Sequence, residues 1–368
     1  MCAGYYNYDA GYRPRFDAEE TFKGQIVHPQ FWPEALDYAG KRVVVIGSGA
    51  TAVTLVPELA KMAAHVTMLQ RSPTYVVSRP AEDAFANKLR RRLPSRIAYG
   101  IIRWRNVFFG LYFYNLTRKK PAEAKARLIE MVKAQLGPDY DVETHFTPTY
   151  NPWDQRLCLV PDSDLFRALK DGSASVMTDR IERFDETGLR LASGARLDAD
   201  IIITATGLDL QLMSGLEVSV DGERVELPQT FSYKGMMYSG VPNLASSFGY
   251  TNASWTLKAD LTAEYLCRLI NHMRNTGYTE CRPVPQGPIE PMPWLDFTSG
   301  YVQRGLSRLP RQGSEAPWRV YQNYALDLLA FRFGKLEDGV MRFARSHAPI
   351  REVSATSPAA NGRQLEDA

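Results

Sequence analysis

The chain has 368 residues, 45% hydrophobic and 23% charged, with 44 Lys and Arg against 41 Asp and Glu for a formal net charge of +3. That length allows two domains, or one large domain with an insertion, and the composition belongs to a globular chain able to bury a sizeable core. The small net charge, with no long basic run, argues against nucleic acid as a partner. Four scattered cysteines (Cys2, Cys158, Cys267, Cys281), with no C-x-x-C pair, argue against a disulfide framework or a metal site.

Residues 1–10 have neither the basic start nor the apolar stretch of a secretory signal, and no window reaches the ~18 apolar residues of a membrane span. A cytoplasmic chain is expected. Residues 1–20, rich in Tyr and Gly, read as the exit from a strand, and 22–33 as a linker. Residues 41–46 are a short β-branched run of the kind that forms a buried parallel strand. A helix over 50–62 and a second strand over 66–71 complete a βαβ unit. From about 81 to 136 the pattern is helical, and 154–170 reads as a loop followed by a helix with Asp164 near its start. Strands are expected at 181–184, 189–191 and 200–204, with a turn at Ser193-Gly194. A further strand over 244–248 leads to an amphipathic helix over 257–274. The tail from Ser354 has the composition of a disordered segment.

Between the first strand and its helix lies Gly47-Ser48-Gly49-Ala50-Thr51-Ala52, a G-x-G-x-x-A motif in the context that gives it meaning. Gly47 makes the tight turn, Gly49 admits a pyrophosphate close to the backbone, and Ala52 lets helix and strand pack closely. The N-terminal amides and dipole of the helix face the anion. The end of the second strand selects the dinucleotide. An NAD site places Asp or Glu there, ~20 residues on, to hold the ribose 2′-hydroxyl. This chain has Gln70-Arg71-Ser72. Arginine offers a fork to a 2′-phosphate that a carboxylate would repel, so NADP is expected. The alternative is a solvated surface arginine.

Upstream, Phe22, Gly24, His28, Trp32 and Pro33 spell F-x-G-x-x-x-H-x-x-x-W-P. This resembles the fingerprint of the Baeyer–Villiger monooxygenases, the class B flavin enzymes, at all five defining positions. The N- and S-oxidising flavin monooxygenases are similar but lack the Trp-Pro ending. The resemblance runs from residue 2 to about 343 and is densest over 44–56, 150–161, 200–207 and 249–260. It implies an α/β, two-dinucleotide-binding-domain flavoprotein fold, a doubly wound NADP domain inserted in an FAD domain, and FAD and NADP as cofactors. It also implies that NADPH reduces the flavin, which then delivers one oxygen atom of O2 to a small hydrophobic ketone, giving an ester or lactone. Sulfides or thioamides are alternative substrates within this branch. His28 tempts assignment as a general base, since its ordinary pKa lies near neutrality; the resemblance implies instead a linker residue that couples domain movement to turnover.

The family's arginine, which stabilises the negative charge of the oxygenated flavin and its ketone adduct, falls at Arg156 in Asn151-Pro152-Trp153-Asp154-Gln155-Arg156-Leu157. The chemistry needs a cation that never deprotonates. Read from the residues alone, Arg156 beside Asp154 is also an ordinary salt bridge. Gln155 stands where relatives often carry a lysine that contacts NADP. Thr206-Gly207 resembles the turn at which such chains leave the nucleotide domain, and Ala3-Gly4 the end of the first FAD half.

The resemblance divides the chain into 1–38 (end of the first FAD segment and fingerprint linker), 39–205 (NADP domain with a helical insertion at about 81–150), 206–353 (second FAD segment) and the tail 354–368. Only 21 residues precede Phe22, whereas the family's FAD glycine motif lies more than a hundred residues upstream. The expectation is the C-terminal two-thirds of a monooxygenase, with an incomplete FAD domain that a separately encoded N-terminal piece would complete. A non-catalytic NADP-binding fragment is the alternative. Lys88, Arg90, Arg91, Arg92, Arg96, Arg103 and Arg105 alternate with aromatic residues such as Trp104, Phe108, Phe109 and Tyr112. Such a helix can lie on an anionic membrane. The favoured reading is an insertion whose apolar face packs on the domain and lines the substrate path.

Overall fold

The computed structural model describes residues 1–345, so the tail from Ser354 lies outside the described residues. In chain order come β1 (Gln25–Val27), β2 (Arg42–Ile46), α1 (Ala50–Leu59), β3 (His65–Gln70) and β4 (Val76–Arg79). A helical stretch follows: α2 (Ala84–Arg92), α3 (Ser95–Lys119), α4 (Pro121–Leu136) and α5 (Val142–Phe146). Then come β5 (Cys158–Pro161), α6 (Asp164–Lys170), β6 (Ala174–Thr178), β7 (Ile181–Asp185), β8 (Gly188–Leu191), β9 (Arg196–Asp198) and β10 (Ile201–Thr204). The remainder holds short two-stranded antiparallel sheets around α7 (Trp255–Thr276), α8 (Gly300–Gly305) and α9 (Tyr324–Arg332).

The main sheet is parallel, in the order β1-β10-β2-β3-β6. Its central strands β2 and β10 are buried on both faces, and the period of two sorts the side chains. Val43, Val45, Val66, Met68, Ile201 and Ile203 join Ala52, Val53 and Val56 of α1 in one core. Val44, Ile46, Leu69 and Ile202 point the other way, into a core with Phe184, Leu189 and Leu191. The antiparallel sheet β7-β8-β9 supplies that second cover. A sheet covered on both sides explains why these strands read as continuous β-branched runs rather than alternating ones.

Three expectations are corrected. Within the expected linker, Gln25–Val27 is a strand, the edge partner of β10 in register Gln25↔Ile201. Residues 244–248 form no strand; Ala245 makes a single bridge to Met237, and the Ser246 and Ser247 amides donate to the Met236 and Met1 carbonyls instead of to a ladder. The expected loop at 154–163 contains β5, which pairs in parallel with β4. The helical insertion also departs from its reading. Of α3 only Ala98, Ile102, Val107 and Thr117 are buried, and much of its aromatic surface faces outward.

The C-terminal part is tied together by a buried ion pair. Lys258 Nζ of α7 lies 2.7 Å from Asp327 Oδ2 of α9, and the Tyr250 hydroxyl donates to the same oxygen at 2.6 Å. The two charged side chains are 2% and 6% exposed. Burial pulls the Lys258 pKa down, and the Asp327 charge opposes it. Removing one partner strands a buried charge, which destabilises by about 3–5 kcal/mol, whereas an apolar pair of similar volume is often neutral. Asp327→Ala should therefore lose about 3–5 kcal/mol in urea denaturation, and Lys258→Met combined with Asp327→Leu should recover most of it.

Candidate functional site

Strand β2 ends in Gly47, whose φ of +135° favours glycine and where a Cβ would run into the Ala205 carbonyl oxygen. Its amide donates to the Leu69 carbonyl at 2.8 Å, fixing the turn to the end of β3. The Ser48 hydroxyl reaches the Ser72 carbonyl oxygen at 3.1 Å and Thr74 Oγ1 at 3.0 Å. Gly49 caps α1, and a Cβ there would meet nothing within 4 Å. The space it would enter is a cavity of about 1000 Å³, at the upper end of the ~300–1,000 Å³ typical of ligand clefts. The first amides of α1 have no acceptor within the helix and face this region with its positive dipole end.

The cavity gathers distant segments. Gly47, Ser48, Gly49, Ala50 and Thr51 form one wall, with Arg71 and Ser72 beside them. Gln155 and Arg156, Thr206 and Gly207, and Tyr301 and Arg304 of α8 also face it. Ala52 is fully buried and packs in the core, the close-packing role its position implies. Gln70 does not reach the cavity. It is 2% exposed, and its amide donates to the His145 carbonyl at 2.7 Å and to Thr178 Oγ1 at 2.9 Å. Ala3 and Gly4 are likewise elsewhere: the Ala3 carbonyl accepts from Tyr8 and Ser214, and the Gly4 carbonyl from the Met213 amide.

Four arginines line the cavity (Arg71, Arg156, Arg180 and Arg304) against one carboxylate, Asp179. Hydrogen bonds from Ser193 hold the Asp179 pKa below the usual carboxylate range. The salt bridge open to Arg156 from sequence does not form. Asp154 instead takes Arg118 of α3, Nη1 to Oδ1 2.8 Å, and the Asn151 amide. Among the described residues, Arg71, Arg156 and Arg304 have no carboxylate partner within 4 Å. The Arg304 guanidinium lies over the Tyr12 ring, 3.3 Å from its centroid. Burial lowers its pKa, and the Arg71 charge adds to that. The neighbouring Cys158 thiol is pushed up to about 12 by burial, which rules it out as a nucleophile near neutrality. Tyr12, Arg180, Tyr301 and Arg304 were missed by the sequence reading; no local motif marks them, because folding alone brings residues 12, 180 and 301–304 to one cavity.

None of the five fingerprint residues lines the cavity. Phe22 is buried edge-on to Phe184, and a Cβ on Gly24 would strike the Asp200 carbonyl oxygen, so glycine permits the close approach that seats β1 on β10. Trp32 packs on the helix-covered core, and the Pro33 carbonyl accepts from the Leu36 amide. His28 Nδ1 accepts from the Gln30 amide at 3.2 Å and so caps the turn Pro29–Phe31. Its ring fills the space beside Gly11, where a Cβ would collide with it.

Burial, aided by the Arg13 charge, lowers the His28 pKa. The folded chain thus keeps the ring neutral where the unfolded chain, at ~6.5, begins to take up a proton. Stability held by the neutral ring is full above ~6.5 and is lost as pH falls through the depressed folded value. Urea denaturation between pH 7 and 5 should show stability falling with pH, with a shallower slope for His28→Gln. An identical slope would remove His28 as a source of this dependence.

The flavin-binding monooxygenase-like family matches residues 1–105. The chain is 55% identical over 352 residues to the FAD-containing monooxygenase EthA of Mycobacterium tuberculosis (strain CDC 1551 / Oshkosh), covering 95% of this chain and 72% of that protein. In fold it is similar to an oxidized steroid monooxygenase bound to NADP, with a TM-score of 0.65 at 20% identity, over 92% of this chain and 73% of that one. An open structure of cyclohexanone monooxygenase superposes with a TM-score of 0.64 at 17% identity, over 93% and 73% of the two chains. These likenesses identify the two-dinucleotide-binding-domain flavoprotein fold.

Proposed function

We propose, for a chain that belongs to the flavin-binding monooxygenase family, that the arginine-lined cavity takes NADPH and serves the transfer of one oxygen atom from O2 to a ketone, sulfide or thioamide. The observation that carries this reading is that one cavity combines the Gly47–Thr51 turn, Arg71 and Arg156, with no carboxylate partner within 4 Å of either arginine among the described residues.

The residues fit a phosphorylated nicotinamide dinucleotide. Open space at Gly49 and the free amides at the start of α1 suit a pyrophosphate. Arg71 is a bidentate donor for a 2′-phosphate, with no acidic residue at the end of β3 to repel it. Gln155 adds a neutral hydrogen-bonding group where a lysine would add charge, which leaves Arg71 the larger share of the phosphate's electrostatic attraction. For FAD, the cofactor in the name of the EthA relative, Thr206, Gly207 and Tyr301 offer a wall. Among the described residues, however, no second G-x-G turn joins a strand to a helix N-terminus that would hold its pyrophosphate. When bound, NADPH supplies the hydride that such flavin enzymes use.

Arg156 supplies a fixed cation. A guanidinium stays charged at any working pH, and a preorganised charge stabilises a negative oxygen more than it stabilises the neutral carbonyl from which that oxygen develops. Because Asp154 is occupied by Arg118, that charge is not neutralised by its nearest carboxylate in sequence. The Trp32-Pro33 ending favours ketone oxidation over N- or S-oxidising relatives. A binding-only NADP protein is the second reading, favoured by Gly47-Ser48-Gly49 being the single G-x-G turn among the described residues. Flavin absorbance of the purified chain separates the two: stoichiometric yellow colour supports the oxygenase, and a colourless chain that binds NADPH supports the second reading.

Arg71→Ala should weaken NADPH binding by about 1.5–3 kcal/mol, the value of a hydrogen bond to a charged group, while NADH binding changes little. Titrating both nucleotides checks it, and equal losses would show that Arg71 does not read the phosphate. In the FAD-loaded enzyme, Arg156→Ala should lower product formation by ~10²–10³ with NADPH affinity retained, as product analysis by gas chromatography would show. Normal ketone oxidation would remove Arg156 from the mechanism.

A further inference from the structure

We infer that helix α3 lays one face on the surface of an anionic phospholipid membrane. A 3.6-residue period puts Ile97, Ile101, Trp104, Phe108 and Tyr112 on a single stripe along the helix. These side chains are 53%, 43%, 38%, 58% and 66% exposed. The opposite side of the helix is the one that holds it to the protein. Val107 joins the core of α7 and α9, and Arg103 bonds Asp260 and Tyr324, each at 3.1 Å. α9, which meets α3 at Trp104 and Tyr324, carries exposed Leu329 and Phe333 as well. Tyr324 meets the stripe at Trp104, and the rest of it lies largely open among the described residues. A largely open run of aromatic and branched side chains over four helical turns marks an interaction surface.

Charge selects the occupant. Residues 84–120 carry ten Lys and Arg and no Asp or Glu. The rest of the chain, with 34 Lys and Arg against 41 Asp and Glu, is net acidic. Carboxylates outside the segment claim Arg103, Arg105, Arg118 and Lys120. Among the described residues, Lys88, Arg90, Arg91, Arg92 and Arg96 have no such partner. A second copy of the chain would set two of these basic segments against each other, so charge opposes self-association through this face. An anionic bilayer satisfies both halves of the pattern. Trp, Tyr and Phe sink into the headgroup boundary, and flexible Lys and Arg stems reach the phosphates. The chain would lie on the membrane and not cross it, since no helix among the described residues is long and apolar enough to span one.

The test is flotation of the purified chain with phosphatidylcholine vesicles and with vesicles of equal parts phosphatidylcholine and phosphatidylglycerol. Flotation separates vesicle-bound protein from aggregates, which sink. Binding to the anionic vesicles alone is expected, with release at about 1 M salt, where the Debye length falls to ~3 Å. Replacing Arg90, Arg91 and Arg92 by Gln should cut partitioning on the order of a hundredfold, from the roughly fivefold that each Lys or Arg contributes near an anionic surface. Phe108→Ser with Tyr112→Ser should cut it more than about tenfold. Both changes are at exposed positions, so an unaltered thermal melt by circular dichroism confirms that folding is retained. No flotation, or equal flotation on both vesicle types, would overturn the inference. So would a stripe-dependent dimer in size-exclusion chromatography without flotation, which would assign the face to a second copy.

Discussion

Strand β10 has no face left for water, and the rest of the molecule is arranged around that constraint. Its four residues are all buried, with β1 on one edge and β2 on the other. The Asp200 carboxylate at its start accepts from the Arg42 amide at 2.8 Å and pairs with the Arg42 guanidinium, which sets the register against β2. At its other end Ala205 presses on Gly47, so the turn that opens toward the cavity is positioned by the end of a strand far away in sequence. The cavity exists because two strand ends, those of β2 and β10, finish side by side. This is the general placement of ligands in open parallel sheets, at the carboxyl ends of the strands.

The electrostatics of the cavity follow from where carboxylates are spent. Asp154 sits two residues from Arg156, yet it faces Arg118. Asp209, close to Arg304 in space, is held by Arg308 and by the Asn7 amide. These two acids near Arg156 and Arg304 are engaged by residues outside the cavity, which leaves Asp179 as the carboxylate in its lining. The result is a concave surface with an excess of positive charge in a chain whose net charge is only +3. Such a surface attracts polyanionic ligands over distances of about the Debye length.

The parts of this arrangement that were legible in the sequence are those with short-range causes. β2, α1 and β3 follow from a β-branched run, a glycine turn and a second apolar run within thirty residues. Arg71 followed from the absence of an acid at one position. The illegible parts depend on partners far away. β1 is three residues long and is a strand only because β10 lies beside it. Gln70 looked like a ligand contact from its place in the motif, but His145 and Thr178, brought over by α5 and β6, bury its amide. Tyr12 and Arg304 stack across the cavity although 292 positions apart in the numbering. The aromatic positions of α3 were visible, but whether they faced inward or outward depended on which side of the helix α7 and α9 would claim.

The parallel pairing of β10 with β2 also has a consequence for how the chain is made. Asp200 and Arg42 are 158 residues apart. A ribosome adding roughly 5–20 residues per second therefore needs on the order of ten to thirty seconds between synthesising one and the other. During that interval β2 and β3 can pair, but the edge of β2 that will receive β10 stays open. That edge, Val43-Val44-Val45-Ile46, is a continuous β-branched run open to pairing with a neighbouring nascent chain. Slow elongation through the helical insertion lengthens that exposure, and chaperone binding at residues 42–46 would shorten it.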